Sequence, residues 1–277
     1  MEIDMKFAFK SIVVAAAFIA AGAANATSVV VDGTTNNGGF TVEGRGALEF
    51  SELLMGSLVT GNVAVTPFGE GATIGSVVRT GVDDFGDAYE YTALIADADV
   101  TSLNFDAATG KVINVQSVGG AAQQMAANPG IKAAGGSAQV GNLDVRFLAS
   151  GDVEIYGTIT GQRLGATTAV NYSGLVFTAT AADVTGATSF AAAPGVYQTT
   201  IKNLASTTDA FNALVQSFGL NSTGLGYSAL QQATANFGTL NSTLTVTAVA
   251  AVPEPSTYAL MGLGLVGIGF AARRRAK

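Results

Sequence analysis

Leu143, Val145 and Phe147 alternate with Asp144 and Arg146, and after Ala149-Ser150-Gly151-Asp152 the alternation resumes, with Val153, Ile155 and Ile159 set against Glu154, Tyr156, Thr158 and Thr160. A period of two broken by a glycine-containing turn specifies an antiparallel hairpin with one buried face; wound as a helix, the same residues would scatter their apolar groups all round. The pattern recurs over 101–118, turning through Asp106-Ala107-Ala108-Thr109-Gly110, and in runs at 29–31, 40–50, 58–65, 73–79, 89–98, 170–180, 195–204 and 239–249. So many short strands predict a mainly β fold, in its simplest form a two-sheet β-sandwich. The stretch 119–142 is rich in Ala, Gly and Gln and contains Asn128-Pro129-Gly130, and 181–195 is similar. Both read as loops, the first as a crossover dividing the strands into two sheets.

One region departs from this period. Phe211, Leu214, Val215 and Phe218 stand at helical spacing behind Thr208 as cap and Asp209 in the first turn; Tyr227, Leu230, Thr234 and Phe237 repeat the spacing after Asn221-Ser222-Thr223-Gly224. The expectation is a short helical hairpin near 208–237, packed on the strands and covering an open end of the β-core.

Composition narrows the chemistry. The chain has no Cys, His or Trp. Disulfides, thiol chemistry and Cys-based metal sites are excluded, as are the commonest general base and every Ser-His or Cys-His nucleophile. Tyr and Phe are the aromatic groups left to stack on a sugar. Lys6 and Lys10 balance Glu2 and Asp4, while the end from Pro253 carries three Arg and one Lys against Glu254, so of the net −7 of the whole chain the stretch 27–252 holds −10. An acidic body disfavours nucleic acid and anionic lipid as partners and favours cations.

The C-terminus has its own logic. Pro253-Glu254-Pro255 interrupts regular structure, an apolar run from Tyr258 to Ala272 follows, and Arg273, Arg274 and Arg275 close the run before Lys277. The run predicts a transmembrane helix at 258–272, about 23 Å long at ~1.5 Å per residue and thus short for a ~30 Å hydrocarbon core. The arginines anchor its topology with the basic end in the cytoplasm. Gly262-Leu263-Gly264-Leu265-Val266-Gly267 imitates a dinucleotide-binding fingerprint, but no acidic residue follows it, so small-residue packing within a membrane is the better reading. This order of parts resembles the PEP-CTERM sorting signal of bacteria, with Pro253, Glu254 and Pro255 as the motif. The resemblance implies recognition by an exosortase in the inner membrane, cleavage near the tripeptide and release toward the outer surface. An ordinary single-pass anchor is the alternative.

At the other end Lys6 and Lys10 precede the apolar stretch 11–21, and Ala24-Asn25-Ala26 places small residues where signal peptidase cuts. The expected organisation is a signal peptide at 1–26, begun at Met1 or Met5, an exported β-rich domain at 27–252 with Thr27 as its first residue, and the sorting signal at 253–277.

Within the body, Asp83, Asp84 and Asp87 surround a glycine and are candidate Ca²⁺ ligands, with Asp97 and Asp99 as further carboxylates on one strand face. Their spacing does not match a calcium-binding loop, and a solvated turn is the simpler reading. Glu43, Glu49, Glu52, Glu70 and Glu90 offer carboxylates for glycosidase chemistry, but no motif singles out a pair. Threonine pairs at Thr158/Thr160, Thr178/Thr180 and Thr245/Thr247 suit an exposed sheet face. The body reads as non-catalytic, and the PEP-CTERM resemblance implies a surface or extracellular-matrix protein, associated with exopolysaccharide or biofilm. A secreted carbohydrate- or Ca²⁺-binding adhesin domain is the alternative.

Overall fold

The longest strand organises the molecule. In the computed structural model, which describes residues 26–82 and 85–250 together with Met261 and Leu263, β5 (Ala88–Asp106) serves four neighbours. Ile95 faces Glu49 on one side and Gly75 on the other, and Leu103 faces Val29 and Val115 in the same way. Thus β1 (Ala26–Val30) and β2 (Phe40–Phe50) share one edge of β5, while β4 (Thr73–Val82) and β6 (Val112–Val118) share the other. The hairpins expected around 106–110 and 149–152 are present, the second between β8 (Gly136–Phe147) and β9 (Val153–Arg163).

The remaining strands are β3 (Ala64–Phe68), β7 (Gly120–Met125), β10 (Val170–Ala179), β11 (Val184–Gly186), β12 (Gly195–Ile201), β13 (Ala205–Ser206) and β14 (Gly238–Ala248). All fourteen belong to one antiparallel sheet, whose main path runs β11-β12-β14-β2-β5-β6-β8-β9-β10-β13. The expected division into two sheets does not occur. Its supposed crossover, 119–142, instead forms β7 and the first half of β8, and their pairing carries the hydrogen-bond ladder through the place where it was to break.

That place is a corner. Gly119 at φ 89° and Asn142 at φ 53° face each other, and Asn142 donates its backbone N–H to the Gly119 carbonyl at 2.9 Å. The register of β8 shifts here, between Gly141 and Asp144. A side chain on Gly120 would run into the Val140 carbonyl, so only glycine lets the strands bend this tightly.

Bending brings the two ends of the sheet together. Ile201 ends β12 and Ala205 begins β13 at the opposite edge. Four chain steps reach at most about 14 Å. Asp183 ties this seam: its carbonyl accepts from the Lys202 N–H at 3.0 Å and its carboxylate from Asn203 Nδ2 at 2.6 Å.

Three helices occur among the described residues apart from the tail: α1 (Glu52–Gly61), α2 (Thr208–Phe218) and α3 (Leu225–Ala233). The last two are the expected hairpin, although the cap of α2 is Thr207, which accepts the Ala210 N–H at 3.3 Å, and not Thr208. Helix α1 replaces the first part of the strand expected at 58–65. Ser51 caps it by accepting the Leu54 N–H at 3.1 Å, Leu54 and Leu58 are buried one turn apart, and Asn62 ends it in the left-handed region. Leu53 and Val59, 46% and 74% exposed, put apolar residues on the outer face as well and blur the period. The helices cover one end of the rolled sheet around Phe50, Phe177, Leu214 and Phe237. A second cluster, including Val29, Phe40, Phe105 and Phe190, fills the other end.

Candidate functional site

Both ends of the described body, 26–250, leave from the same end of the sheet. β1 and β2 run antiparallel to β5, and β14 runs antiparallel to β2, so Ala26, opposite Asp106, and Ala248, opposite Phe40, lie on the side of the second aromatic cluster. Thr27 is already a strand residue, paired with Phe105, and Val29 beside it is buried. At the other terminus the Val249 N–H donates to the Gly39 carbonyl at 2.9 Å and fixes the exit of the chain. Ala24, Pro253, Glu254, Pro255, Arg273, Arg274 and Arg275 lie outside the described residues. So does the proposed span 258–272, except for Met261 and Leu263, which are helical. No helix among the described residues is long and apolar enough to cross a membrane.

The acidic turn joins β4 to β5 at the tip of a ribbon that extends past β2. Asp83 and Asp84 lie outside the described residues, and Asp87 is exposed. Asp97 and Asp99 cannot join that turn, because Asp97 stands nine strand residues beyond Ala88, about 30 Å at ~3.3 Å per residue. Asp99 is paired with Arg45 at 2.9 Å. Among the described residues no group of three or more carboxylates is placed to hold a metal ion.

The glutamates are scattered in the same manner. Glu43, Glu52, Glu70 and Glu90 are exposed. Glu49 is held by Arg79 in a two-point contact, Nε to Oε1 and Nη2 to Oε2, both at 2.6 Å. That pairing also raises the guanidinium pKa above its ordinary value, chiefly through the hydrogen bond. Burial, with Glu52 and Glu49 nearby, pushes the Tyr91 phenol up. The threonine pairs do not form one row: Thr158 and Thr160 lie on β9, Thr178 faces Glu154, and Thr245 is on β14, in a different part of the sheet.

The outer face of β5, β6, β8 and β9 carries a polar grid of cross-strand hydrogen bonds. Ser102 donates to Gln116 Oε1 at 2.8 Å, Asn104 to Asn114 at 2.7 Å, and Asn114 to Asp144 at 2.6 Å. Arg146 closes on Asp144 through Nη2 at 2.7 Å and lies 4.0 Å above the Tyr156 ring, whose hydroxyl donates to Glu154 at 3.0 Å. The hydrogen bond that Arg146 donates to Asp144 raises the Arg146 pKa, and the bond that Tyr156 donates to Glu154 raises that of Tyr156. The grid is an array of amides, carboxylates, a guanidinium and one aromatic ring, all capable of hydrogen-bonding or stacking with a polar partner. The sequence gives the alternation that turns these residues outward; the pairing across four strands that joins them is invisible in it.

Comparison with known families matches residues 251–275 to the PEP-CTERM protein-sorting motif. The tail is a PEP-CTERM sorting signal. Comparison with curated proteins and with solved structures gave no match. The PEP-CTERM signal marks an exported protein that is handled by exosortase through a membrane-anchored step. The match begins just after Ala248, the last residue of β14, so the signal follows the folded body almost without a linker.

Proposed function

We propose that the protein is processed at both ends and delivered to the cell surface, where residues 27–252 serve as a non-catalytic structural component of the surface or its exopolysaccharide or biofilm matrix. In this reading signal peptidase cuts after Ala26 and exosortase acts near Pro253-Glu254-Pro255, while Arg273, Arg274 and Arg275 hold the far side of the 258–272 span in the cytoplasm. The observation that carries it is the sorting signal at 251–275, placed directly after the last strand. The position of β1 supports the N-terminal cut, since a chain starting at Thr27 keeps the strand that pairs with β5. The shared exit supports a tethered intermediate: both membrane segments pull on one end of the sheet, and the helix-covered end faces away. The pairing of Glu49 with Arg79 and the exposure of Glu43, Glu52, Glu70 and Glu90 support a non-catalytic body.

The test is the intact mass, with terminal peptides, of the protein recovered from the host surface and medium. A chain running from Thr27 to a point near Pro253–Pro255 is the expected result; one retaining Arg273 to Lys277 overturns release. Replacing Pro253, Glu254 and Pro255 together by Ala is expected to leave the tail attached.

The polar grid favours a second reading, a carbohydrate-binding adhesin domain. Tyr156→Ala with Arg146→Ala is then expected to reduce co-sedimentation with the host exopolysaccharide. A calcium-dependent thermal shift abolished by Asp83→Asn with Asp87→Asn would instead identify the acidic turn as the site.

A further inference from the structure

The rolled sheet encloses a cavity of about 80 Å³ between its two halves. Its wall is apolar, built from inward residues such as Leu48, Val100, Leu103, Val145, Phe177 and Leu244. Part of the wall has no side chains at all, because Gly119, Gly120 and Gly141 at the sheet corner must remain glycine for the strands to bend. The space therefore follows from the way the sheet closes. One water needs roughly 10–15 Å³ of such volume, so the cavity holds considerably more than a single water, and apolar walls retain water poorly.

Ser117, Ser189, Tyr197, Thr199 and Ser242 also reach the wall from half-buried or exposed positions; among the buried residues that line it, one is polar. On the inward face of β7, between buried Ala121 and Met125, stands Gln123, 4% exposed. Its side-chain amide makes no hydrogen bond with any described residue, yet none of its polar atoms is sealed away from all accessible space. It lines both the large cavity and a smaller one of about 30 Å³ beneath the helices. An amide held inside a core without a partner is unfavourable, and an apolar residue of the same shape would remove that penalty.

We propose that this cavity binds a small aliphatic molecule, or the end of an aliphatic chain, that carries one hydroxyl or carbonyl group, with Gln123 supplying the hydrogen bond and the sheet interior the apolar contact. The site lies on the opposite side of the sheet from the polar grid and is independent of the sorting signal.

The test uses the full-length chain in amphipol, with methyl-labelled Leu and Val followed by NMR while hexan-1-ol is titrated. Saturable shifts are expected at Leu48, Leu103 and Val145, with the exposed methyls of Leu53 and Val59 on α1 unmoved. Gln123→Leu, which keeps the volume, is expected to weaken hexan-1-ol about five-fold while leaving hexane binding unchanged. Ala98→Leu is expected to fill the space and abolish both, and should that variant fail to fold, Gln123→Leu carries the test. The proposal is overturned if the wild-type methyls give no saturable shift, if only an ordered water is seen on Gln123, or if Gln123→Leu binds the alcohol as tightly as the wild type.

Discussion

The two ends of the rolled sheet are closed by different means. At one, α1, α2 and α3 lay apolar stripes over Phe50, Phe177 and Phe237, and no chain terminus of the body leaves. At the other, helices are replaced by side chains: Phe190 stacks on Phe40, Phe105 and Tyr197 at ring distances of 6.0, 5.2 and 5.3 Å, and both termini emerge beside it. The difference teaches how one sheet can be closed in two ways. The end from which both termini of the body leave is built from strands and turns, whose backbone is fixed by the ladder itself; the bulkier helical closure is kept away from it. Under the proposed function, that is the end which meets the processing enzymes.

The contrast can be broken by experiment, most forcefully at the helix end. A side chain on Gly161 would meet Ser217 Oγ and the Ser137 carbonyl, so Gly161→Leu has to lift α2 from the sheet. The expected loss is about 3 kcal/mol or more in urea denaturation; a loss under about 1 kcal/mol would mean that α2 is a loose cover.

Phe177→Ala and Phe190→Ala form a matched pair, one at each end. Each is expected to destabilise by about 3–5 kcal/mol. Hydrogen exchange sharpens the comparison: Phe190→Ala is expected to expose β1 and β12 amides first, whereas Phe177→Ala loosens α2 and β10. Identical exchange patterns would show the two ends to be one cooperative unit.

A smaller effect is expected at the cap of α1. Ser51 accepts the Leu54 N–H and donates to the Asn236 carbonyl at 2.6 Å. Ser51→Ala is therefore expected to cost about 1–2 kcal/mol, read from the thermal midpoint.

The smallest effect separates the ends by pH. At the terminus end, donors from Thr35 and Thr34 hold Asp32 well below the usual carboxylate range, and Thr109 and Ala108 do the same for Asp106. A carboxyl held low in the folded state favours the fold fully above its ordinary pKa, and that contribution is lost as pH falls through the lowered value. On acidification, amides of 32–37 and 106–110 are expected to hold their NMR positions through the ordinary carboxylate range near about pH 4 and to shift only as pH falls further, through the lowered values. Asp32→Asn is expected to remove the late pH response of the first turn, and movement of the 32–37 amides already in the ordinary range would reverse the assignment.

Much of this was legible in the residues. The hairpin at 143–160, the turn at 106–110 and the helices at 208–218 and 225–233 all lie within windows where period and turn chemistry agree. The strand expected at 58–65 failed because exposed Leu53 and Val59 hide the helical stripe formed by Leu54 and Leu58. The tract 119–142 failed for another reason. Its small residues look like a loop in isolation, and they become strands because β8 offers a ladder at a corner that only small residues can turn.

By itself the sequence determined the class of most local structure and the sorting signal at its end, since alternation, caps and the order tripeptide, apolar run, arginines are all properties of neighbouring residues. The tertiary structure alone decided that the strands make one sheet and not two, that its edges meet at Asp183, that both termini share an end, and that Gln123 looks into an apolar space. The physical reason is that β-pairing joins residues far apart in the chain, as when β14 lies against β2 with Thr239 facing Glu49, and the free energy of such contacts is set by geometry that no local window contains.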